Sequence, residues 1–397
     1  MIRVCVVGLG YVGLSTAIHA AEAGYLVFGL DTNIEKVKKL NSGSSLIEDI
    51  SDIRVANVIK QKLFSAHTNI DDIVDPEVVL ICVPTPLTEK QLPDLSYFSN
   101  SIISIAPLIN AKTLLVVEST IEPGTTRNLV VELLEEYTSL NRSELLIAFS
   151  PERIDPGNLQ WNLKNTPKIV AGINDKSKNL AVEFFSTFID QVVSVESLEI
   201  AETAKLLENT FRLINISFIN ELAMFCAELK IDVNQVIKAA SSKPYGYMPF
   251  YSSLGVGGHC IPVDPVYLSN KAKQIGATTR FIDLALRINR ERPEYFIEQA
   301  KAMVGNLENK RILVIGIAFK SNISDMREAP AKNLIFGLRE NLALVYWHDD
   351  LVKKWNQEES VELTADYDLA IIATPHDYLN LSLLGDVPIL DTRGTSL

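Results

Sequence analysis

Cysteine is scarce in this chain of 397 residues: Cys5, Cys82, Cys226 and Cys260 lie far apart, and no C-x-x-C pair occurs. Such spacing supports neither a disulfide framework nor a zinc knuckle. The five histidines, His19, His67, His259, His348 and His376, are scattered and only His259 adjoins a cysteine, so no metal site is expected. Long apolar runs are missing as well. Residues 2–23 have the outline of a signal peptide, one Arg ahead of an apolar stretch, but three glycines interrupt it. Elsewhere no run reaches the ~18 apolar residues of a membrane span, so a cytoplasmic, reduced protein is expected. Positive charge is in deficit, with 37 Lys and Arg against 49 Asp and Glu for a net −12. A surface of that sign repels nucleic-acid backbones and anionic lipid, and neither is expected as a partner. Small phosphorylated ligands remain open, because they need only a few local cations and backbone amides.

What is present is ordinary globular material, 47% hydrophobic and 22% charged, and the length predicts two to four domains. The first 150 residues alternate short β-branched runs with helical patterns, the sequence form of a parallel sheet built from βαβ units. Strands are expected at 3–7, 26–30, 78–83, 114–118 and 145–149. Thr32 followed by Glu35 reads as a capping box, with a helix from Asn33 onward. Pro84, Pro86, Pro93, Pro123, Pro151 and Pro156 cluster just after strands, where such sheets carry their ligand loops. Residues 197–229 contain neither Pro nor Gly and are apolar on nearly all sides. They predict a buried helix of about 50 Å that joins two domains and packs against a second subunit. A Gly-, Pro- and Tyr-rich loop follows at 243–262, then Asp264 as N-cap with Pro265 in the first helical position. A further strand set is expected from Arg311, at 343–348, 368–373 and 388–390. The fold class is therefore α/β: two Rossmann-like domains with parallel sheets, at 1–196 and 309–397, joined by a long central helix and a helical middle domain at 197–308.

Gly8-Leu-Gly10-Tyr11-Val12-Gly13 follows an apolar strand and opens a helix, the context a dinucleotide fingerprint requires. The first glycine makes the turn, the second admits pyrophosphate, and the third lets the helix pack on the strand. Asp31 ends the second strand, where a carboxylate accepts from the adenosine ribose hydroxyls. Thr32 and Asn33 follow it rather than Arg, which favours NAD over NADP. Val83-Pro-Thr85-Pro, Ser119-Thr120-Ile-Glu122-Pro-Gly124 and Ser150-Pro-Glu152-Arg153 repeat the strand-then-loop pattern; each could be a plain turn, but their recurrence at equivalent strand ends favours function.

On the long helix, Lys205, Asn209 and Arg212 share one stripe at i, i+4 and i+7. They fit either a solvated face or a partly desolvated Lys and Asn that polarise a reacting hydroxyl or water. Leu254-Gly-Val-Gly257-Gly258-His259-Cys260-Ile-Pro-Val-Asp264-Pro265 is the densest segment. Cys260, four residues before a helix start, is either a small hydrophobe or a nucleophile favoured as thiolate. The segment from Gly316 to Pro330 lacks the third fingerprint glycine, which argues against a second dinucleotide. Lys320 and Arg327 offer two cations to a phosphorylated ligand, or form a surface loop balanced by Asp325 and Glu328.

Taken together, GLGYVGL, CVPTP, ESTIEPGTT, ETAKLLENT, GVGGHCIPVDP, GIAFKSNISDMREAP and the closing ILDTRG resemble the UDP-sugar and GDP-sugar 6-dehydrogenases almost end to end. SPERIDPGN and KPYGYMPFY are most similar to the branch acting on UDP-N-acetylhexosamines, particularly UDP-N-acetylglucosamine. The UDP-glucose branch has a second Glu where this chain has Pro156. Ser252-Ser253-Leu254-Gly255 replaces the family's frequent Pro-Gly-Pro-Gly. The resemblance implies a four-electron oxidation with two NAD per turnover, through a Cys260 thiohemiacetal and thioester, for surface polysaccharide synthesis. It implies Cys260, Lys205, Asn209, Asp264, Thr120 and Glu152 as catalytic residues, with the acid and base roles of Lys205, Asp264 and Glu152 left open. NAD would be held by Gly8, Gly10, Tyr11, Val12, Gly13, Asp31, Lys36, Thr85, Thr120 and Arg327. The sugar nucleotide would be held by Glu152, Arg153, Ile154, Lys205, Asn209, Arg212, Gly257 and Lys320. A homodimer through the central helix is implied. UDP-N-acetylmannosamine is the nearest rival substrate, ahead of UDP-glucose or a single-step hydroxyacid reaction using Lys205 and Asn209 alone.

Overall fold

The structure, a computed structural model, describes residues 1–47, 49–155, 158 and 160–394. Pro156, singled out above, lies outside the described residues. The chain divides into two compact units, Met1–Leu207 with Val266–Gln274, and Glu208–Pro265 with Ile275–Leu397.

In the first unit an eight-stranded sheet runs in the order β3-β2-β1-β4-β5-β6-β7-β8. Its strands are β1 (Arg3–Val7), β2 (Leu26–Leu30), β3 (Phe64–His67), β4 (Val78–Ile81), β5 (Leu114–Val117), β6 (Leu146–Phe149), β7 (Lys168–Gly172) and β8 (Val192–Ser194). All neighbours are parallel except β6 and β7. The helices are α1 (Tyr11–Glu22), α2 (Ile34–Asn41), α3 (Asp52–Lys60), α4 (Ser96–Ile105), α5 (Val131–Tyr137) and α6 (Asp175–Ser186). Central strands bury both faces, which is why residues 4–7 of β1 are apolar throughout rather than alternating. Val4 and Val6 join a core with residues of α1, α2, α3 and α6. Cys5 and Val7 join the opposite core, with residues of α4 and α5. The strand order reverses beside β1, where the chain passes to β4, so the loops after these two strands flank the crevice in which such sheets take ligands.

Several details depart from the sequence reading. Strands β3, β7 and β8 were not expected; they are short, and polar residues such as Ser65 and Lys168 blur their pattern. Strands β4 and β5 stop at Ile81 and Val117, so Val83 and Glu118 stand in loops. The cap of α2 is Asn33 rather than Thr32: the Asn33 side chain accepts the Lys36 amide, which a side chain one residue earlier does not do here.

Helix α7 (Leu198–Glu228) is continuous over 31 residues. It is not buried all round, as its apolar sides suggested. Leu207, Phe211, Phe218 and Phe225 stand exposed, Phe218 by 60%, while Leu206, Leu213 and Asn220 are buried.

The second unit continues with α8 (Val233–Ala240), the start of α9 (Asp264–Gln274), α10 (Arg280–Val304) and α11 (Pro330–Glu340). By this assignment α9 begins at Asp264 itself, one residue earlier than expected. Its sheet has the order β10-β9-β13-β14, from β9 (Arg311–Ile315), β10 (Leu344–His348), β13 (Leu369–Ile372) and β14 (Ile389–Asp391), with a small antiparallel pair, β11 (Lys354–Trp355) and β12 (Glu358–Glu359). The four strands are parallel. The two units share one local device. Gly8 and Gly316 both have positive φ, and their amides donate to Leu30 and His348 carbonyls, each at 2.8 Å. The next amide donates to a carboxylate at the end of the neighbouring strand: Leu9 to Asp31 and Ile317 to Asp349, each at 2.9 Å. Asp349 is further occupied by the amides of Leu351 and Val352 and by His376. A carboxylate so filled has no capacity left for a ribose, which supports the expectation of a single dinucleotide site.

Candidate active site

The carboxyl ends of β1, β2, β4, β5 and β6 gather most of the expected cofactor residues within the first unit. Gly13 lies against the turn that Gly8 makes: a Cβ there would sit 1.8 Å from the Gly8 carbonyl oxygen. Gly10 is the opposite case, since a Cβ added there would meet no atom within 4 Å. Its open side is the approach a pyrophosphate needs, so the turn fits a dinucleotide. Asp31 spreads its oxygens over the Leu9 and Asn33 amides, at 2.9 and 3.0 Å, and the Lys36 ammonium, at 2.7 Å. A carboxylate with about four acceptor positions keeps room for a ribose hydroxyl.

The next three loops are tied to one another. The Thr85 hydroxyl donates to the Thr120 carbonyl at 2.7 Å, and the Ser119 hydroxyl to the Val83 carbonyl at 2.7 Å. The Tyr267 hydroxyl, from the part of α9 in this unit, donates to the Thr85 carbonyl at 3.1 Å. Glu202, on the first turns of α7, was not singled out from the sequence. It is fully buried, and its two oxygens accept the amides of Gly124, at 2.6 Å, and Thr126, at 3.0 Å. Burial pushes its carboxyl up to about 7 against these donors. Glu152 turns one oxygen back onto the amides of Arg153, at 2.6 Å, and Ile154. Arg153 donates from Nη1 to the Pro167 carbonyl at 2.7 Å, and Ile154 packs on the core.

Lys205 and Asn209 stand one turn apart on α7, and both are buried, whereas Arg212 is exposed. A solvated stripe is therefore excluded for the first two. Within the second unit, Asn209 Nδ2 donates to Asp264 Oδ2 at 2.6 Å, and Asp264 is buried. The amides of Val263 and Asp264 close onto the Cys260 carbonyl at 3.2 and 2.9 Å. Cys260 itself is exposed, not a buried hydrophobe. The glycines before it have a packing role: a Cβ on Gly257 would meet the Glu328 carbonyl at 2.6 Å, and one on Gly258 the Phe319 ring at 2.9 Å. Arg327 chelates Asp325 at 2.6 Å while its carbonyl accepts the Gly258 amide at 2.9 Å. Lys320 is half-buried in the same segment.

The Ser252-Ser253-Leu254-Gly255 stretch is held by residues that sequence reasoning missed. Asn220 accepts the Ser253 amide at 2.9 Å. Asn289 accepts the Val256 amide at 2.7 Å and donates to its carbonyl. Arg292, buried among Tyr295 and Phe296, donates to the Ser253 carbonyl at 3.0 Å and to the Ser252 hydroxyl. The signal was present as polar residues spaced i, i+3 along α10, a face that helical spacing alone assigns to water. Burial lowers the Arg292 pKa to about 10.

Comparison with known proteins matches three successive stretches of the chain. Residues 2–189 match the NAD binding domain of the UDP-glucose/GDP-mannose dehydrogenase family, residues 199–291 its central domain, and residues 313–395 its UDP binding domain. A UDP-N-acetyl-D-mannosamine dehydrogenase of Methanococcus maripaludis is 33% identical over 94% of this chain and 86% of its own length. A UDP-N-acetyl-D-glucosamine 6-dehydrogenase of Pseudomonas aeruginosa is 32% identical over 94% of this chain and 87% of its own. The structure of the UDP-D-ManNAc dehydrogenase of Pyrococcus horikoshii superposes with a TM-score of 0.91 at 32% identity, covering 99% of this chain and 95% of that one.

Two outcomes are expected from the cradle. Gly13→Ala should lower the unfolding free energy by roughly 3 kcal/mol, whereas Gly10→Ala should change it by no more than about 0.5 kcal/mol and weaken NAD binding; denaturant titration and calorimetric NAD titration separate the two. For Glu202, the folded pKa stands above the ordinary 4.5, so its contribution is complete below that value and is lost as pH rises through about 7. The melting temperature of wild type should therefore fall relative to Glu202→Gln between pH 5 and 8; a constant difference across that range would show the carboxyl to be ionised throughout.

Proposed function

The chain belongs to the UDP-glucose/GDP-mannose dehydrogenase family and is an NAD-dependent nucleotide-sugar dehydrogenase, and from that premise we propose that it oxidises the C6 hydroxyl of a UDP-N-acetylhexosamine to the uronic acid. The observation that carries the two-step outcome is the exposed Cys260 thiol, backed by the buried Asn209–Asp264 pair and anchored through its carbonyl to the start of α9.

NAD, when bound, would supply the oxidant, taking a hydride from C6 once at the alcohol and once at the thiohemiacetal level. In the first unit Gly10 leaves space for the pyrophosphate and Asp31 accepts from the ribose, with Lys36 beside it; Tyr11, Val12, Thr85 and Thr120 complete the proposed contacts there. The Lys205 ammonium stabilises negative charge developing on the C6 oxygen, with Asn209 beside it. The Cys260 sulfur adds to the aldehyde carbon, and the aldehyde oxygen takes up a proton. Oxidation of this thiohemiacetal leaves a thioester, which stays open to water because sulfur is a good leaving group. Asp264 and Thr120 position the attacking water, Glu152 accepts its proton, and the Cys260 sulfur departs and regains its own. Arg153, Ile154, Arg212, Gly257 and Lys320 hold the sugar nucleotide. The product is a building block for surface polysaccharide.

The gluco epimer is the first reading, from the resemblance of the SPERIDPGN and KPYGYMPFY segments to the UDP-N-acetylglucosamine branch, although no motif reads C2 by itself. A second reading, the manno epimer, draws on the similarity to the Methanococcus maripaludis and Pyrococcus horikoshii proteins. The two sugars differ only at C2. Incubation with NAD and, in turn, UDP-N-acetylglucosamine, UDP-N-acetylmannosamine, UDP-N-acetylgalactosamine and UDP-glucose should yield two NADH per sugar consumed with one of the N-acetylhexosamines. One NADH per sugar would remove the four-electron reaction. Cys260→Ala should abolish uronate formation; an undiminished yield would point to a single-step oxidation by Lys205 and Asn209.

The proposed assembly is a homodimer through α7, whose Leu207, Phe211, Phe218 and Phe225 form an exposed apolar stripe at helical spacing. Sedimentation should find a dimer in wild type and a shift to monomer in Phe218→Asp; a monomeric wild type at micromolar concentration would overturn it.

A further inference from the structure

A lysine on a loop binds a phosphate only as tightly as the loop is already ordered, because disorder removed at the moment of binding is subtracted from affinity. The loop that carries Lys320 leaves β9 at Gly316 and is fixed on both sides of that residue. Ahead of it, the Ile317 and Ala318 amides donate to Asp349 Oδ2 at 2.9 and 3.3 Å. The Phe319 amide donates to the Asp325 carbonyl at 2.9 Å. Behind it, residues 321 and 322 are tied to the loop that follows β13. The Ser321 hydroxyl donates to the Pro375 carbonyl at 2.6 Å, and the Asn322 amide to His376 Nδ1 at 2.8 Å. Asn322 Nδ2 donates to Asp377 Oδ2 at 2.7 Å, and the Asp377 amide returns to Asn322 Oδ1 at 3.1 Å. Asn322 has φ 65°, in the left-handed region that asparagine visits when its short side chain is hydrogen-bonded close by.

His376 joins the two sides. It is buried, and because its Nδ1 accepts the Asn322 amide, the ring hydrogen stands on Nε2, which donates to Asp349 Oδ1 at 3.0 Å. Asp349 is enclosed just beyond β10. Burial opposes its charge, but hydrogen bonds from His376 and from the Val352 and Ile317 amides outweigh burial and lower its pKa. One carboxylate thus fixes the segment ahead of Lys320 directly through Oδ2, and the segment behind it through Oδ1, the imidazole and the Asn322 amide. The exposed Tyr378 ring lies stacked on the imidazole, 5.5 Å between centroids and 9° between planes. Closing the end of the sheet requires only Asp349 and the Gly316 turn. The bonds from residues 321 and 322 to residues 375–377 go beyond that closure, and the residue bracketed between them and Asp349 is Lys320.

We propose that the loop after β13 positions Lys320 for the sugar nucleotide, with His376 as the central positioning residue: it holds the segment behind Lys320 to the same carboxylate that holds the segment ahead of it. The ammonium then meets the phosphates from a loop that is ordered before the ligand arrives. This rests on the reading of Lys320 as a contact of the sugar nucleotide.

The test is calorimetric titration of the full-length enzyme with UDP, beside a titration with NAD. Lys320→Met should weaken UDP binding by about 10-fold or more. His376→Ala should weaken it by about fivefold or more and leave NAD affinity within about twofold. On the Lys320→Met background, His376→Ala should change UDP affinity by no more than about twofold, since a residue that acts through Lys320 then has nothing to position. His376→Asn, whose Oδ1 takes the place of Nδ1 as acceptor for the Asn322 amide, should recover most of the loss. A His376→Ala effect that is absent, equal on both backgrounds, shared by NAD or unrelieved in His376→Asn overturns the positioning role and leaves the Lys320 reading standing. If Lys320→Met leaves UDP affinity unchanged, the Lys320 reading fails and this inference with it. Should His376→Ala not fold, as judged by circular dichroism and NAD binding, the exposed Asp377 decides. A loss of UDP affinity in Asp377→Ala that disappears on the Lys320→Met background supports the role, and any other result overturns it.

Discussion

The turn from β1 into α1 is the constraint on which the first unit depends. A central parallel strand must hand the chain to a helix within a few residues while leaving its last amides usable. Gly8 reaches the left-handed region to do so, donating to the Leu30 carbonyl, and Gly13 lets the helix settle against the turn with no room for a Cβ. Everything beyond follows that geometry. The Leu9 amide meets Asp31, the opening over Gly10 faces the strand ends, and the loops after β4 and β5 are stitched alongside by Thr85 and Ser119. The second unit repeats the turn with Gly316, but Asp349 and His376 close it. One backbone device thus serves two ends, an open dinucleotide cradle and a sealed strand terminus, and the side chains at the strand's end decide between them.

Charge is handled differently in the two units. In the first, Glu202, Glu118 and Lys168 are buried and their ionisation is linked to the loops they hold. In the second, Arg292 is buried with carbonyl and hydroxyl partners and two aromatic rings, so the loop leading to Cys260 is shaped by hydrogen bonds to a cation. That cation holds by hydrogen bonds a stretch that proline would hold through its fixed φ, and it explains how Ser252-Ser253 can stand in that place. The net charge of −12 says nothing about any of these sites, because each is set by local partners within a few ångströms.

Legibility from sequence followed signal strength. Both ends of β1 and β2 were read correctly, since a short apolar run that stops at Gly8 or at Asp31 admits few other interpretations. Strands β3 and β8, at the two edges, and β7 beside β8 were lost because they are short and carry polar residues such as Ser65, Ser194 and Lys168. The gathering of Thr85, Thr120 and Glu152 loops at strand ends was foreseeable from topology. Asn289, Arg292, Glu202 and Lys168 were not, because on a helix or at a strand start they look like ordinary solvated residues, and only packing reveals that they are enclosed.

The sequence by itself determined the α/β class, the central strands and long helix, and the motifs proposed to carry chemistry. Those depend on local periodicity, turn residues and motif order, which are properties of neighbours along the chain. The tertiary structure decided which polar residues are buried and what they meet: Asn209 on Asp264, Glu202 on the Gly124 and Thr126 amides, Lys168 between Glu118 and Glu152. Such pairings join positions from 16 to 78 residues apart. Their strength comes from exclusion of water, which no local pattern encodes.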